Sequence, residues 1–404
     1  MRHSIDLHLG NNIDLQLRNN VDLHLGNNID LQLRNNVDLQ LRNNLSSQLA
    51  NSKLPKNGGF GFLFHATDWQ TLDFIFKNIE TKKSQAQNSK LWNVKPFVNS
   101  FIEYKGNPIG INIVMPVPID LWIGSSKGLR GFRERQFFPA LELANDCNLK
   151  MVAMGASTPY VCNYGKLPRP LKNPSVTTGH AATAATLKKW AIHASNHTGC
   201  DYEKITLAIF GAAGRLGKAV SSYIGYSSPP KEIILIDLSD KIMLLKAQAE
   251  EILRTTKRKD LKVSIYSFES NEQMPKFDGA ILVSNNSVPF LTEDHLRKAK
   301  FWIDDSHPRA ASIEAEVKSR KDTLYIECYV RGPEGFSTNF PFRLPTSQDC
   351  YTCCAEGYLS WREGIDEDFI IGIPDVEKIN LVDNLLDKYG FHLGPFSGKN
   401  GDLI

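Results

Sequence analysis

The residues best placed by type and spacing to do chemistry are three glycines in the run Gly211-Ala-Ala-Gly-Arg-Leu-Gly217. Glycines at this spacing let a backbone turn sharply and approach a pyrophosphate, which then lies at the positive end of the helix that follows. A glycine triplet alone is weak, because glycines also mark ordinary turns. Here Ile205–Phe210 is a short β-rich run entering the loop, Leu216–Ile224 leaves it with helical spacing, and Glu232–Ile236 is the next strand-like run, closing on Asp237. A carboxylate at that place accepts hydrogen bonds from the ribose hydroxyls of NADH and repels the 2′-phosphate of NADPH. Gly211, Ala213, Gly214, Leu216, Gly217, Asp237 and, further on, Ser284 therefore read as a nicotinamide-dinucleotide site. Arg215 projects from the same loop and is a competing holder of a 2′-phosphate. The cofactor is NADPH or NADH, with Asp237 inclining the reading to NADH.

The second candidate is the run Cys350-Tyr-Thr-Cys353-Cys354. A structural metal wants a fourth ligand and usually a second paired motif, and Cys328 is the one obvious extra residue, so no metal is expected. Inert buried cysteine on a helix is the plain alternative. The third reading is a nucleophile that takes an acyl group as a thioester, for which a cation or helix N-terminus must favour the thiolate.

The elements that position these residues follow from periodicity. Strand-like runs recur at Val263–Tyr266, Ala280–Val283, Phe301–Ile303 and Leu324–Ile326, and a helix is expected over Asp240–Leu253. Strands alternating with helices predict an α/β fold: a Rossmann-type doubly wound parallel sheet over about 175–345. Before it, 57–174 reads as a smaller α/β substrate domain. Its strands are Phe60–His65, Ile111–Met115 and Lys150–Met154, with helical patterns at Trp69–Phe76 and Arg133–Ala144. After it, 346–404 reads as a helical segment carrying the cysteines, with an amphipathic helix over Asp375–Lys388 stopped by Gly390.

Residues 5–44 repeat an octad, from Ile5-Asp-Leu-His-Leu-Gly-Asn-Asn12 through copies starting at Ile13, Val21, Ile29 and Val37. Near-identical units at so short a period suit a poorly ordered accessory tail, taken as 1–56, more than a solenoid. The net charge of +3 argues against a general nucleic-acid binder. No run approaches the roughly 18 apolar residues of a membrane span, and no signal peptide is legible. Seven cysteines, an odd number, do not form a secreted disulfide framework, so a reduced, cytoplasmic protein is expected. Oligomeric state is not legible.

The order of motifs resembles that of the cyanobacterial long-chain acyl-(acyl-carrier-protein) reductases, which form fatty aldehydes. The likeness runs from Phe60-Gly-Phe-Leu-Phe-His65 through Leu141-Glu-Leu-Ala and Met151-Val-Ala-Met-Gly155 to Thr177-Thr-Gly-His-Ala-Ala-Thr-Ala184. It continues through the glycine loop, Ile303-Asp-Asp-Ser-His-Pro308, Cys353-Cys-Ala-Glu356 and Tyr389-Gly-Phe391. The resemblance implies NADPH, an acyl carrier protein or coenzyme A thioester as partner, an acylated cysteine at Cys353 and cofactor contacts from Thr178 and Gly179. The chain departs from that pattern at Leu238, where the family carries a basic residue, at Gly155-Ala156 and at Asp304-Asp305-Ser306.

On this reading Cys353 attacks the thioester, hydride from the nicotinamide reduces the acyl-enzyme, and His307 or His180 serves the developing oxyanion. The basic run Lys127, Arg130, Arg133 and Arg135 either docks an acidic carrier or is a solvated helix face. Two other readings keep the same core: a dehydrogenase of the glutamyl-tRNA reductase or shikimate dehydrogenase type without an acyl-enzyme, and a cofactor-binding protein without turnover.

Overall fold

The computed structural model describes residues 53–404 apart from 56–57, 68–71, 73–90, 168, 170–172, 269–273, 287, 341 and 400. The octad repeat and nearly all of the expected Trp69–Phe76 helix lie outside the described residues.

Two six-stranded sheets organise the chain. The first is mixed. β1 (Phe60–His65), β3 (Asn107–Met115), β4 (Met151–Met154) and β5 (Ser175–Thr177) run parallel, and β2 (Phe97–Tyr104) pairs antiparallel with β3. β1 is buried throughout because strands lie on both sides of it and helices cover the sheet. That is why Phe60-Gly-Phe-Leu-Phe-His65 reads as a continuous apolar run rather than an alternating one. The antiparallel partner is reached by a tight turn at Lys105-Gly106, both at positive φ.

The second sheet is wholly parallel. β6 (Thr206–Phe210), β7 (Glu232–Asp237) and β8 (Lys262–Ser267) extend one way from the centre. β9 (Gly279–Leu282), β10 (Phe301–Asp304) and β11 (Leu324–Glu327) extend the other. The order β8-β7-β6-β9-β10-β11 is the doubly wound Rossmann order, with its switch point between β6 and β9. After β11 come β12 (Val330–Arg331) and β13 (Phe336–Ser337), and β13 pairs with β2, so the chain returns to the first sheet. β14 (Asp349–Cys350) closes a small ribbon on β12.

Helices fill the space between. α1 (Ser126–Phe132) and α2 (Phe138–Asp146) are joined by one π turn, Arg133–Phe137, where a single helix over Arg133–Ala144 was expected. Pro139 has no N–H to give, and the preceding N–H, of Phe138, reaches back to Arg133 O. α3 (His180–His197) buries eleven of its eighteen residues, most of them alanine and threonine, and small side chains let neighbours approach on every side. α4 (Arg215–Ser227) and α5 (Ile242–Thr255) cover the parallel sheet, α5 through Leu245, Gln248, Ala249 and Ile252 at i, i+3, i+4, i+7. α6 (Thr352–Arg362) packs on β1 and β4 and against α3, and carries two of the clustered cysteines. α7 (Val376–Lys388) starts one residue later than expected, because Asp375 is its cap and accepts from Lys378 N at 2.8 Å. No helix among the described residues is long and apolar enough to cross a membrane.

Candidate active site

The glycine loop turns where β6 ends. Gly211 has φ +78°, and a Cβ there would lie 2.8 Å from Val283 O on the neighbouring crossing strand end. A Cβ on Gly217 would lie 2.2 Å from Gly211 O, so the first turn of α4 sits against the loop only because that position is glycine. Gly214 is the N-cap of α4 and no side chain caps the helix, which leaves its leading N–H groups facing the cleft. At the end of β7, Asp237 accepts from Ala213 N at 2.8 Å and Leu238 N at 2.9 Å, which holds its carboxylate beside the loop.

The loop opens on a cavity of about 210 Å³ between the two sheets, lined by Gly214, Arg215, Leu216 and Ser284 on this side. On the far side lie Phe62, Phe64, Phe340, Phe342 and Tyr351, an aromatic wall. Its floor is ionisable. Asp305, His307, Glu327 and Lys399 come from the ends of β10 and β11 and from near the C-terminus. Lys399 Nζ donates to Ser306 O at 3.0 Å and to Glu327 Oε1 at 2.9 Å, and lies 3.8 Å from Asp304 Oδ2.

Asp304 beneath it is fully buried and accepts from Ser306 N, Ala310 N and the Tyr325 hydroxyl, so its carboxyl is tied into the structure. Burial pushes the Asp305 carboxyl up to about 7 and that of Glu327 up to about 8, against the pull of Lys399. Burial alone would lower the Lys399 ammonium; Asp304, Glu327 and Asp305 outweigh it and raise it. His307 is driven well down by burial, with Lys399 and His65 adding to it, so its imidazole is neutral.

The third side is the meeting of α3 with α6. Gly179 has φ +79°, and a Cβ there would fall 2.2 Å from Cys353 Cβ. Glycine is therefore what allows the start of α3 to touch the start of α6. Glu356 ties the two, accepting from Thr177 Oγ1, from Gly179 N at 2.7 Å and from Ala182 N at 2.9 Å. Cys353 is half-buried on the cavity wall, while Cys350 and Cys354 are buried away from it. Burial, then Asp305, raise the Cys353 thiol, and the backbone N–H groups of Ala156 and Cys354 pull the other way. His180 also lines the cavity, and burial drives it down to about 4.

The cavity wall thus brings together Cys353, His307, His180, Thr178, Gly214, Arg215, Leu216 and Ser284 from the sequence reading, while Gly179 stands behind Cys353. Gly211, Ala213, Gly217 and Asp237 shape the loop from outside the lining. Sequence reasoning missed Asp305, Glu327, Lys399, Ser157 and Asn285, which occupy five separate segments. The signal for the first existed in Asp304-Asp305-Ser306-His307 after a buried strand; nothing marked Lys399. His65, taken as structural, lines the cavity too. Its Nε2 accepts from Ser157 N at 3.1 Å and its Nδ1 lies 2.9 Å from Ala66 O, so the ring is held at both ends. Of the basic run, Arg133 turns inward to Val161 O at 2.8 Å and Arg130 pairs with Glu134. Lys127 and Arg135 remain exposed. No group of metal-ligating residues occurs among the described residues.

The residues fit a nicotinamide dinucleotide. Besides the glycine cradle, Thr178 Oγ1 is buried on the cavity wall with no hydrogen-bond partner among the described residues, a polar atom in need of a ligand.

No family model matches the chain, and no curated protein matches it in sequence. Among solved structures it is similar to shikimate 5-dehydrogenase from Listeria monocytogenes in complex with shikimate and NAD, at 11% identity over 82% of this chain and 98% of that one, with a TM-score of 0.33. L-tryptophan dehydrogenase from Nostoc punctiforme is 13% identical over 82% of this chain and 80% of its own, TM-score 0.35. A chorismate mutase/shikimate 5-dehydrogenase fusion protein from Clostridium acetobutylicum is 11% identical over 82% and 98%, TM-score 0.31. Likeness at this level reaches the general α/β arrangement and nothing finer.

The resemblance to acyl-(acyl-carrier-protein) reductases does not stand, since the structures found are dehydrogenases of shikimate and an amino acid. The physical reason lies in the motifs that carried it. A buried first strand, a glycine loop and a capped helix start are what any two-sheet dinucleotide-binding chain needs, so their order follows the fold rather than the reaction.

Proposed function

We propose that this chain is an NAD(P)-dependent oxidoreductase of the dehydrogenase type, acting on a carbonyl compound with an apolar substituent. The observation that carries the reading is convergence: the start of α4 and an ionisable floor of Asp305, His307, Glu327 and Lys399 line one cavity. When bound, the nicotinamide supplies the hydride. The leading N–H groups of α4 would receive the pyrophosphate, Asp237 the ribose hydroxyls, and Thr178 Oγ1 and Ser284 polar atoms nearer the ring.

Lys399 is the floor group suited to polarise a substrate carbonyl and then protonate its oxygen. Arginine does not release a proton, and His180 and His307 are neutral. Glu327, protonated for part of the time near neutral pH, stands beside Lys399 to return that proton. The aromatic wall excludes water from the reacting centre and takes the apolar part of the substrate.

Asp237 supports NADH over NADPH, because a 2′-phosphate would lie against its carboxylate. Fluorescence titration with NADH and NADPH tests both points. Binding of NADH at least about tenfold tighter is expected, and no binding of either would sink the reading.

A second reading rests on Cys353, the one cysteine of its cluster on the cavity wall at the start of a helix. Its sulfur would attack an acyl thioester of acyl carrier protein or coenzyme A, the carrier leaving as a thiol, before hydride reduces the acyl group to an aldehyde. Intact mass after incubation with a long-chain acyl-coenzyme A separates the two. An adduct that vanishes in Cys353→Ala favours the thioester route, and no adduct across chain lengths leaves the direct one.

A further inference from the structure

Arg215 does not hang free at the mouth of the cleft. Its guanidinium lies over the Tyr164 ring, 4.3 Å from the centroid, and donates to Asn163 Oδ1 at 3.0 Å. Both partners belong to the segment that follows β4 of the first sheet, whereas Arg215 begins α4 of the second. Asn163, Tyr164 and Gly165 stand in succession at φ +48°, +58° and +80°, a conformation that a bulky tyrosine rarely adopts. The surroundings enforce it. Tyr164 N donates to Pro159 O at 2.6 Å, Gly372 N donates to Tyr164 O at 2.9 Å, and the Tyr164 ring meets that of His180 at 5.5 Å. Backbone held this firmly in a costly conformation is holding a side chain somewhere in particular.

What lies under that side chain points to a ligand. Tyr164, Arg215, Gly214, His180 and Thr178 line one cavity, and Thr178 Oγ1 there is buried without a partner among the described residues. One of the five guanidinium donors is given to Asn163 and another reaches the Tyr164 hydroxyl, which leaves the remaining in-plane donors for a ligand.

We propose that Tyr164 and Asn163 are positioning residues that preorganise Arg215 as a clamp on the pyrophosphate of the dinucleotide, making the cofactor site a joint product of both sheets. The inference rests on the cofactor reading above and deepens it. It assigns Arg215 to the pyrophosphate, common to NADH and NADPH, rather than to the 2′-phosphate. The fixed stacking spares the arginine the loss of rotamer freedom on binding, which is how a residue that need not touch the ligand raises affinity.

The test is calorimetric titration of the full chain with ADP-ribose, which carries the pyrophosphate, and with adenosine, which does not. Arg215→Ala is expected to weaken ADP-ribose about tenfold or more and Tyr164→Ala roughly three- to tenfold. Tyr164→Phe, which keeps the ring but loses the hydroxyl contact, should fall between wild type and Tyr164→Ala. In Tyr164→Ala/Arg215→Ala the loss should equal that of Arg215→Ala alone, because the tyrosine acts through the arginine. Tyr164→Gly relieves the strained φ while removing the ring, and its affinity should fall as in Tyr164→Ala. Adenosine affinity should not move in any variant.

Unchanged ADP-ribose binding in Tyr164→Gly and Tyr164→Ala overturns the inference and leaves the cofactor reading standing. So does a loss in Arg215→Ala confined to NADPH. Failure of the wild type to bind NADH, NADPH and ADP-ribose overturns both.

Discussion

The loop side and the floor of the cavity reach one site by opposite means. On the loop side the working surface is backbone: the turn at Gly211, the first N–H groups of α4 and the close approach at Gly217. On the floor it is side chains, Asp305, His307, Glu327 and Lys399, gathered over nearly a hundred residues of chain onto one buried carboxyl, Asp304. A backbone-built site tolerates almost any side chain but demands glycine at set positions. A side-chain-built site tolerates loop variation but demands that every buried charge find its partner. The two sides should therefore fail differently.

The largest failure expected is on the backbone side. Gly217→Val places a branched side chain where even a Cβ lies 2.2 Å from Gly211 O. NADH binding in a fluorescence titration should drop by about a hundredfold or more, as the helix start moves off the loop. Retained affinity would mean that the cofactor does not use this cradle.

On the floor, Lys399→Met removes the cation beside Asp304 and Glu327 while leaving both carboxyls buried. Breaking such a pair costs on the order of 3–5 kcal/mol, read as a lowered midpoint in urea. Lys399→Met/Glu327→Gln should recover part of the loss. If the single variant is as stable as wild type, the floor is wetter than its burial indicates.

A smaller effect should separate the acidic side chain at the end of β7 from the backbone of the loop. Asp237→Ser keeps a hydrogen-bonding group but removes the charge, so the ratio of NADH to NADPH affinity should fall about tenfold while NADH alone changes little. A ratio that stays put would remove Asp237 from the choice of cofactor.

The smallest effect is one of pH and belongs to the floor. Glu327 and Asp305 are raised in the folded protein to about 8 and about 7. The folded chain then holds protons that the unfolded chain has already lost, so their contribution is complete below their ordinary carboxylate range and disappears as pH rises through the folded values. His180, depressed to about 4, acts the other way, its contribution being lost as pH falls below about 6.5. Between pH 6.5 and 8 the carboxyls act without that opposition. The melting temperature should fall by a few degrees across this window, and Glu327→Gln should flatten the slope. An equal slope in the variant would show that Glu327 titrates at its ordinary value.

How much of this was legible in the sequence follows the same division. Ile205–Phe210, the loop and Asp237 announced themselves because strand, turn and helix are local, and local backbone demands leave a residue at each place. Ala181, Ala182 and the other small residues of α3 were harder to read. Its first two turns are buried almost throughout and show no polar face to betray the period, and its length emerged only with the neighbours α4, α6 and α7 in place. The π turn between α1 and α2 was hidden for a different reason. It arises from one proline in a segment whose apolar pattern alone suits an unbroken helix. The acyl-reductase resemblance misled because it was assembled from these same local signals, which specify a fold and leave the reaction open.

The sequence by itself determined the parallel sheet, the glycine cradle and the acidic residue at the end of β7, since each depends on residues within about thirty positions of one another. Only the tertiary structure decided that Cys353 rather than Cys354 faces the cavity, that Gly179 must be glycine to let α6 approach, and that Lys399 reaches Glu327 and Asp304. Those are contacts between segments distant in the chain. Their energy comes from burial and charge pairing that no stretch of sequence can display until the sheets have closed on each other.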